Sequence, residues 1–474
     1  MRGTRGRGRR ARGGRARARV ARRAAFLGLV LLSAAPTAGA AAVVPAPLVT
    51  RLLEARAGIG GARLRVLHLG DSHVSAEPLG RTLRDLLGGV AGGEAGPGLV
   101  FPGLPFNATR GRGVTVTLSP GWTRTYGREP LPPGETGLCG GFAEARRAGA
   151  TLALAGRFAS VRLHLLRQPG GGSALVRVDG RLAGRVDLDG ASDLALFRWS
   201  GPAASRLEVE AADARPVRVL GVALEEERGG LVYSPAGVVG AQANVLLRCR
   251  EELFVRQLAA EAPDVVILAF GTNEARDSGF EPGAYSATLE TLIRRVRRGA
   301  PAALVFLAGP PDQEKSAGGG GRPVPALSLV TATQRDVAAR TGAAFLDLRE
   351  AMGGAGSVRR WVRSSPPLAQ PDHVHFTAPG YERLARFVAA DLVATLERER
   401  ERVAAAEAPF VLPASVPSRP YAAERAAAAR PEPRETEGGS GLRSYRDASG
   451  RLVLTNLDVA PPRAPELGRA GAPR

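Results

Sequence analysis

The stretch "RVLHLGDSHVSAEPLG", Arg65–Gly80, decides how the chain is read. An apolar run, Val66 to Leu69, stops at Gly70-Asp71-Ser72-His73, and a helix-like pattern follows. A small polar residue placed where a buried strand ends is where open α/β sheets collect their reactive groups. Further runs of strand length occur at Asp264–Phe270 ("DVVILAF"), Ala303–Ala308 ("ALVFLA") and Ala343–Leu348 ("AAFLDL"). Their near-continuous Val/Ile/Leu content predicts strands buried on both faces of a parallel sheet. Segments of helical pattern lie between them, such as "CREELFVRQLAAEA" and "YSATLETLIRRVRRGA". The expectation is an α/β fold, a three-layer doubly wound parallel sheet.

The middle of the chain has another period. From Val114 to Glu227 apolar and polar residues alternate, punctuated by glycine, as in "VTVTLS", "SALVRVDGRLAGRVDL" and "SRLEVEAA". "VDGR", Val178–Arg181, predicts a tight turn between strands. This predicts an all-β sandwich over 114–227, inserted between a first part of the α/β domain, 43–113, and a second, 228–400. Residues 401–474 turn to Ala, Pro, Arg and Glu and are expected to form a disordered tail. One short hairpin is expected in it, at 443–458.

Composition sets further bounds. The 474 residues suit about two or three domains. The net charge of +20 suggests a nucleic-acid partner, but only Lys315 is a lysine, and eleven arginines fall in the first 23 residues. Those basic residues precede "AAFLGLVLLSAA" and "PTAGAA", the pattern of a secretory signal, with Ala38 and Ala40 at the −3 and −1 positions. Removing 1–40 leaves 20 − 11 = +9. The expectation is an exported protein, periplasmic or secreted in a Gram-negative bacterium. It needs no nucleic acid and keeps no stable membrane span once the signal is cleaved. Oligomeric state stays open. Cys139 and Cys249 are the two cysteines; a single disulfide and a pair of buried thiols both fit.

Three blocks carry chemistry. Ser72 follows the first strand, Asn273 follows "DVVILAF" in "GTNEA", and Asp372 and His375 stand in "QPDHVHFTAPGYERLA". A serine hydroxyl needs a base to take its proton, the base needs a carboxylate to fix its tautomer, and the oxyanion needs donors aimed at it. The bland alternatives are a helix N-cap for Ser72, a turn cap for Asn273 and a packing glycine at Gly240. His373 competes with His375: the Asp-x-x-His spacing favours His375, but side chains two apart on an extended segment face the same way. His68 and His164 read as structural. Trp122, Tyr126 and Trp199 could stack on sugar rings, although core packing is the commoner outcome.

"GDSH", "GVVGAQAN", "GTNE" and "DHVHFT" resemble, in order, the blocks of SGNH/GDSL-type serine hydrolases. With "AGPGLVFPG" and the β-rich insert they resemble bacterial peptidoglycan O-acetylesterases. The resemblance implies Ser72 as nucleophile, His375 as base and Asp372 as its partner. It implies an oxyanion hole from the amides of Ser72 and Gly240 and the side chain of Asn273. Asp71, His73, Glu274 and His373 are candidate pocket residues. Glu77 departs from the aspartate-like residue expected there. The implied substrate is an acetylated glycan, the insert implies a carbohydrate-binding-like role, and no cofactor or metal is implied. The same parts also suit an O-acetyltransferase or a non-catalytic wall-binding module. A dinuclear metallophosphoesterase would need an opening Asp-x-His, yet no histidine precedes His68 and no aspartate precedes Asp71.

Overall fold

The computed structural model describes residues 46–104, 113–127, 136–317, 320–406, 443–446 and 452–455. The chain divides into two compact units, Met1–Ala408 and Pro409–Arg474. The expected export signal and most of the expected tail lie outside the described residues.

Helix α1 (Ala46–Ala57) leads into strand β1 (Arg63–Gly70) and then helix α2 (Glu77–Val90). Nine strands follow: β2 (Gly98–Val100), β3 (Thr115–Leu118), β4 (Trp122–Tyr126), β5 (Gly141–Ala145), β6 (Thr151–Arg167), β7 (Ser173–Val178), β8 (Arg181–Asp187), β9 (Asp193–Ala211) and β10 (Val217–Glu225). The α/β pattern resumes with β11 (Gly230–Gly237), α3 (Glu251–Glu261), β12 (Val265–Ala269), α4 (Pro282–Gly299) and β13 (Leu304–Ala308). A small hairpin, β14 (Glu314–Ala317) with β15 (Gly320–Pro323), precedes α5 (Leu327–Thr341), β16 (Ala344–Leu346) and the long α6 (Ala378–Ala406).

The parallel sheet runs β11-β1-β12-β13-β16. Alternate residues feed two cores. Val66, Val265, Ile267, Leu304 and Phe306 face α1, α2 and α6, meeting Leu79, Leu83, Leu87, Leu384, Val388 and Leu392. Leu67, Leu69, Val266, Leu268, Val305 and Leu307 share the other core with Leu253, Phe254 and Leu258 of α3, Leu289 and Ile293 of α4 and Val330 of α5. Both faces are covered, which is why these strands read as unbroken apolar runs. The i, i+4, i+8 spacing of Leu79, Leu83 and Leu87 gives α2 one apolar stripe. Each such side chain contributes about 1.5–3 kcal/mol on burial.

Strands β2 to β10 form one nine-stranded sheet, in the order β4-β5-β10-β6-β9-β7-β8, with β2 on β10 and β3 on β6. The sequence predicted an all-β sandwich over 114–227; the strands are linked in one hydrogen-bonded sheet, which also recruits β2 from before the expected insert. Register shifts in β6 between Ala155 and Ser160 mark bulges along its pairing with β9, the device that bends a long sheet. One face encloses a core of Leu152, Leu154, Leu163, Leu207, Val209 and Val219. The other delivers Phe142, Leu166 and Leu220 to the core shared with α3 and α4. The "VDGR" turn is present between β7 and β8, with Asp179 and Gly180 at φ 46° and 78°, as a tight hairpin turn of positive φ requires.

A buried ionic chain ties the two sheets. Glu225 on β10 accepts from Arg65 Nε of β1 at 2.9 Å and from Arg162 Nη2 of β6 at 2.7 Å. Arg162 also donates to Glu261 of α3, which meets His164 Nε2 at 2.7 Å. Burial pushes the Glu225 carboxyl up, but Arg65 and Arg162 outweigh it and hold it at about 2. His164 is thereby structural. His68 is too, bonding Tyr233 Oη at 2.8 Å, with burial holding it down at about 3. Trp122 lies in the core of the antiparallel sheet, and Trp199 packs edge-on against Phe158. Cys139 and Cys249 are free thiols, both buried and both pushed up to about 12 by that burial.

In the second unit, Arg443–Arg446 pairs antiparallel with Leu452–Thr455, inside the hairpin expected at 443–458. Helix α6 runs past the expected boundary at 400.

Candidate active site

Four chain segments meet beyond the carboxyl ends of β1, β11 and β12. Residues 71–75 turn sharply after β1, closed by the Ser75 amide donating to the Asp71 carbonyl at 3.3 Å. Asp71 is buried, and its Oδ1 accepts from the His73 amide at 2.9 Å. This local carboxylate-to-backbone bond fixes the turn that carries Ser72. The next segment packs so closely that a Cβ on Gly237 would lie 2.2 Å from the Ser75 nitrogen. Only glycine permits that approach at the end of β11. Ser72 caps no helix: α2 starts at Glu77, behind Ala76. Glu77 pairs with Arg81 one turn on, at 3.2 Å.

Ser72 Oγ lies 3.0 Å from His375 Nε2. His375 Nδ1 lies 2.7 Å from Asp372 Oδ2. The other carboxylate oxygen, Oδ1, accepts from the amides of Val374 and His375 at 2.9 and 3.0 Å. Partial burial pushes the Asp372 carboxyl up, but the bonds from His375 and these two amides outweigh it, leaving the group below its ordinary range. Asp372 is therefore an anion at neutral pH. Its anion fixes the Nδ1–H tautomer, which leaves Nε2 as an acceptor for the serine proton.

The competing histidine turns elsewhere. His373 takes a positive φ of 57°, so the 371–376 segment is a turn and not the extended run that would align residues 373 and 375. Its Nδ1 meets Glu314 Oε2 at 3.0 Å, and Glu314 also accepts from Arg359 Nη2 at 2.7 Å. His373 thus braces the loop after β13. His73 is buried, with its ring 5.5 Å from that of His375 and its Nδ1 3.2 Å from Tyr381 Oη. Burial lowers its basicity, so a neutral ring packs against His375. Tyr381, Glu314 and Arg359 were given no role by the sequence. Tyr381 lies within the quoted "APGYERLA", but nothing in its spacing marks it.

The remaining candidates form a second cluster. Gly240 has φ 71° in a turn closed by the Ala241 amide on the Val238 carbonyl, a conformation that suits glycine. Asn273 Nδ2 donates to the Ala241 carbonyl at 2.8 Å. The amide group carries two hydrogens, so this bond orients it and leaves a second donor. Glu274 is buried and accepts from the Ala243 amide at 2.7 Å and from the Gly271 amide at 2.9 Å. Asn273 and Glu274 together clamp the 271–274 turn to the 241–243 segment. Burial pushes the Glu274 carboxyl up to about 7, with Asp71 adding to the rise. A cavity of about 690 Å³ opens beside this clamp, lined by Gly240, Asn273 and Arg248 among others. Among the described residues, no group of three or more His, Cys, Asp or Glu side chains could hold a metal ion.

The GDSL-like lipase/acylhydrolase family matches residues 200–383, a span that holds Gly240, Asn273, Asp372 and His375 and leaves Ser72 outside. A solved peptidoglycan O-acetylesterase is 26% identical, covering 74% of this chain and 96% of its own, with a TM-score of 0.63. A family two carbohydrate esterase from Clostridium thermocellum is 12% identical, over 54% of this chain and 95% of that one, with a TM-score of 0.26. Axe2, an acetylxylan esterase from Geobacillus stearothermophilus, is 20% identical over 35% and 73%, with a TM-score of 0.27. No curated protein matches the sequence.

Proposed function

We propose that this chain, which carries a GDSL-like acylhydrolase domain and is a carboxylic ester hydrolase, removes O-acetyl groups from a cell-envelope polysaccharide, with O-acetylated peptidoglycan as its substrate. The observation that carries the reading is the unbroken hydrogen-bonded chain from Ser72 Oγ through His375 to Asp372, at 3.0 and 2.7 Å. Ser72 and His375 stand some three hundred residues apart in sequence, so local structure does not account for their meeting.

In this reading Ser72 Oγ attacks the acetyl carbonyl carbon while His375 Nε2 takes its proton. The carbonyl oxygen becomes an oxyanion facing the amides of Ser72 and Gly240 and the Asn273 side chain. Asp372 stabilises the imidazolium. The C–O bond to the sugar breaks, and His375 returns the proton to the departing hydroxyl. Water then attacks the acetyl-serine, with His375 again as base, and acetate leaves. The hydrolase core is built from 43–113 and 228–400. The antiparallel sheet of 114–227 seats the glycan chain beside it, supported by its packing against the α3 and α4 side of the core. Such a substrate requires an enzyme outside the cytoplasm, in keeping with the basic and apolar leader. Among the described residues no helix is long and apolar enough to cross a membrane.

The test is acetate release from O-acetylated peptidoglycan by wild type and Ser72→Ala. Wild-type release with a silent variant is expected; equal release by both would end the assignment. The role of the antiparallel sheet predicts a rate per acetyl group that rises with glycan length. A rate independent of length would remove it from substrate binding.

A further inference from the structure

Arg276 is the outstanding charge beside the candidate oxyanion site. The 271–277 segment is a chain of tight turns: Ala275, Arg276 and Asp277 amides donate to the carbonyls of Gly271, Asn273 and Glu274. Residues 273 and 276 therefore share one face. Both line the 690 Å³ cavity, together with Gly240, Gln242, Arg248 and Asp277. That volume falls within the roughly 300–1,000 Å³ typical of small-ligand sites.

The half-buried Arg65, Arg162 and Arg359 each meet a carboxylate. Arg276 is exposed and meets none among the described residues. Its Nη1 reaches only Gln313 Oε1 and the Glu314 carbonyl, each at 3.4 Å. Both partners are neutral, and the Glu314 carboxylate is taken by Arg359 and His373. The one acid in the cavity wall, Asp277, is turned to its own loop: Oδ2 accepts from Gln242 Nε2 at 2.8 Å and Oδ1 from the Gly279 amide at 2.9 Å. Long neutral bonds hold the Arg276 guanidinium in place without compensating its charge, and its planar fork matches a carboxylate.

We propose that Arg276 binds a carboxylate carried by the substrate close to the acetyl ester, so that the enzyme favours acidic acetylated glycans over neutral ones. This rests on the esterase reading above. The carboxylate has two chemical sources, the lactyl group of a muramic acid residue or the first amino acid of an attached peptide.

The test uses two matched pairs with the full chain. One pair is 6-O-acetyl-N-acetylmuramic acid and its lactyl carboxamide. The other is 6-O-acetylmuramyl-L-alanine and its carboxamide. For an exposed arginine, wild-type kcat/KM should favour the acid by about fivefold in at least one pair, and that pair identifies the source. Arg276→Gln should bring the ratio to about one, while Arg276→Lys, which keeps the charge but not the fork, should restore part of it. Equal rates on acid and amide in both pairs, or a preference unchanged in Arg276→Gln, overturn the inference and leave the esterase reading standing. No acetate from any of the four overturns both. If Arg276→Gln does not fold, the wild-type preference decides: it must shrink as salt rises, because an exposed pair is screened, and a preference that persists overturns the inference.

Discussion

Glu274→Gln should separate stability from activity in a way that pH reveals. The wild-type carboxyl is buried among Asp71 and Tyr285, accepts two backbone amides and titrates near 7 against an ordinary value of 4.5. Because the folded-state value is the higher one, the folded protein holds this proton more tightly than the unfolded chain does. Its contribution to stability is therefore largest below 4.5, is lost as pH rises towards 7, and stays lost above it. Raising the carboxyl from 4.5 to about 7 amounts to about 3–4 kcal/mol in all, of which about 3 kcal/mol falls between about pH 4.5 and about pH 8. Glutamine does not titrate. Urea unfolding at about pH 4.5 and about pH 8 should show the variant gaining about 3 kcal/mol on wild type between the two. Activity should move the other way. A glutamine side chain offers one carbonyl oxygen for two amides, so either Ala243 or Gly271 loses its acceptor, at a cost of about 1–3 kcal/mol. The clamp that sets Gly240 against Asn273 loosens, and kcat should fall about tenfold, 1.4 kcal/mol being one decade. Stability curves that stay parallel across the pH range would refute the buried-carboxylate reasoning, whatever the activity does.

Three further outcomes follow from the same geometry. Asn273→Ala should lower kcat by about 10²–10³ if its amide faces the oxyanion; a change of less than about threefold on p-nitrophenyl acetate would exclude that role. His375→Ala should silence ester hydrolysis, whereas His373→Ala should keep turnover within about threefold and lose about 1–3 kcal/mol of stability, since Glu314 loses a partner. The reverse ranking would exchange the two histidines. Glu225→Gln should cost about 3–5 kcal/mol by leaving Arg65 and Arg162 without their shared anion; thermal unfolding unchanged within about a degree would mean that the link between the sheets is dispensable.

What the sequence could and could not reveal follows from which forces are local. The runs at β1, β12, β13 and β16 were legible because burial on two faces demands unbroken apolar residues. Strand β11 was not, because Gly230, Pro235 and Gly237 interrupt its pattern. It lies at the edge of the parallel sheet, where a missing amide donor is tolerated. Alternation in 114–227 marked the region as strands, but it carries no record of which strands pair, nor that β5 and β10 are buried on both faces. The single nine-stranded sheet therefore had to come from the structure.

The site divides along the same line. The placement of Ser72 and Asn273 beyond strand ends was legible, because chain order carries it. The Asp-x-x-His spacing favoured His375 over His373, but the turn that carries His373 away was not legible, since it rests on one residue adopting φ 57°, a conformation that a histidine's neighbours do not announce. Nor were the partners that hold the site rigid: Tyr381 on His73, Glu314 and Arg359 on His373, Ala243 on Glu274. Each reaches across a different pair of elements. The proposed reacting groups are thus set by sequence position, while their placement rests on tertiary bonds made by residues that the proposed mechanism does not use. This is why Glu274, which touches no substrate in the proposed mechanism, is the sharper probe of the site than Ser72: removing the serine tests whether the reaction uses it, and altering the glutamate tests whether the fold was built to hold it.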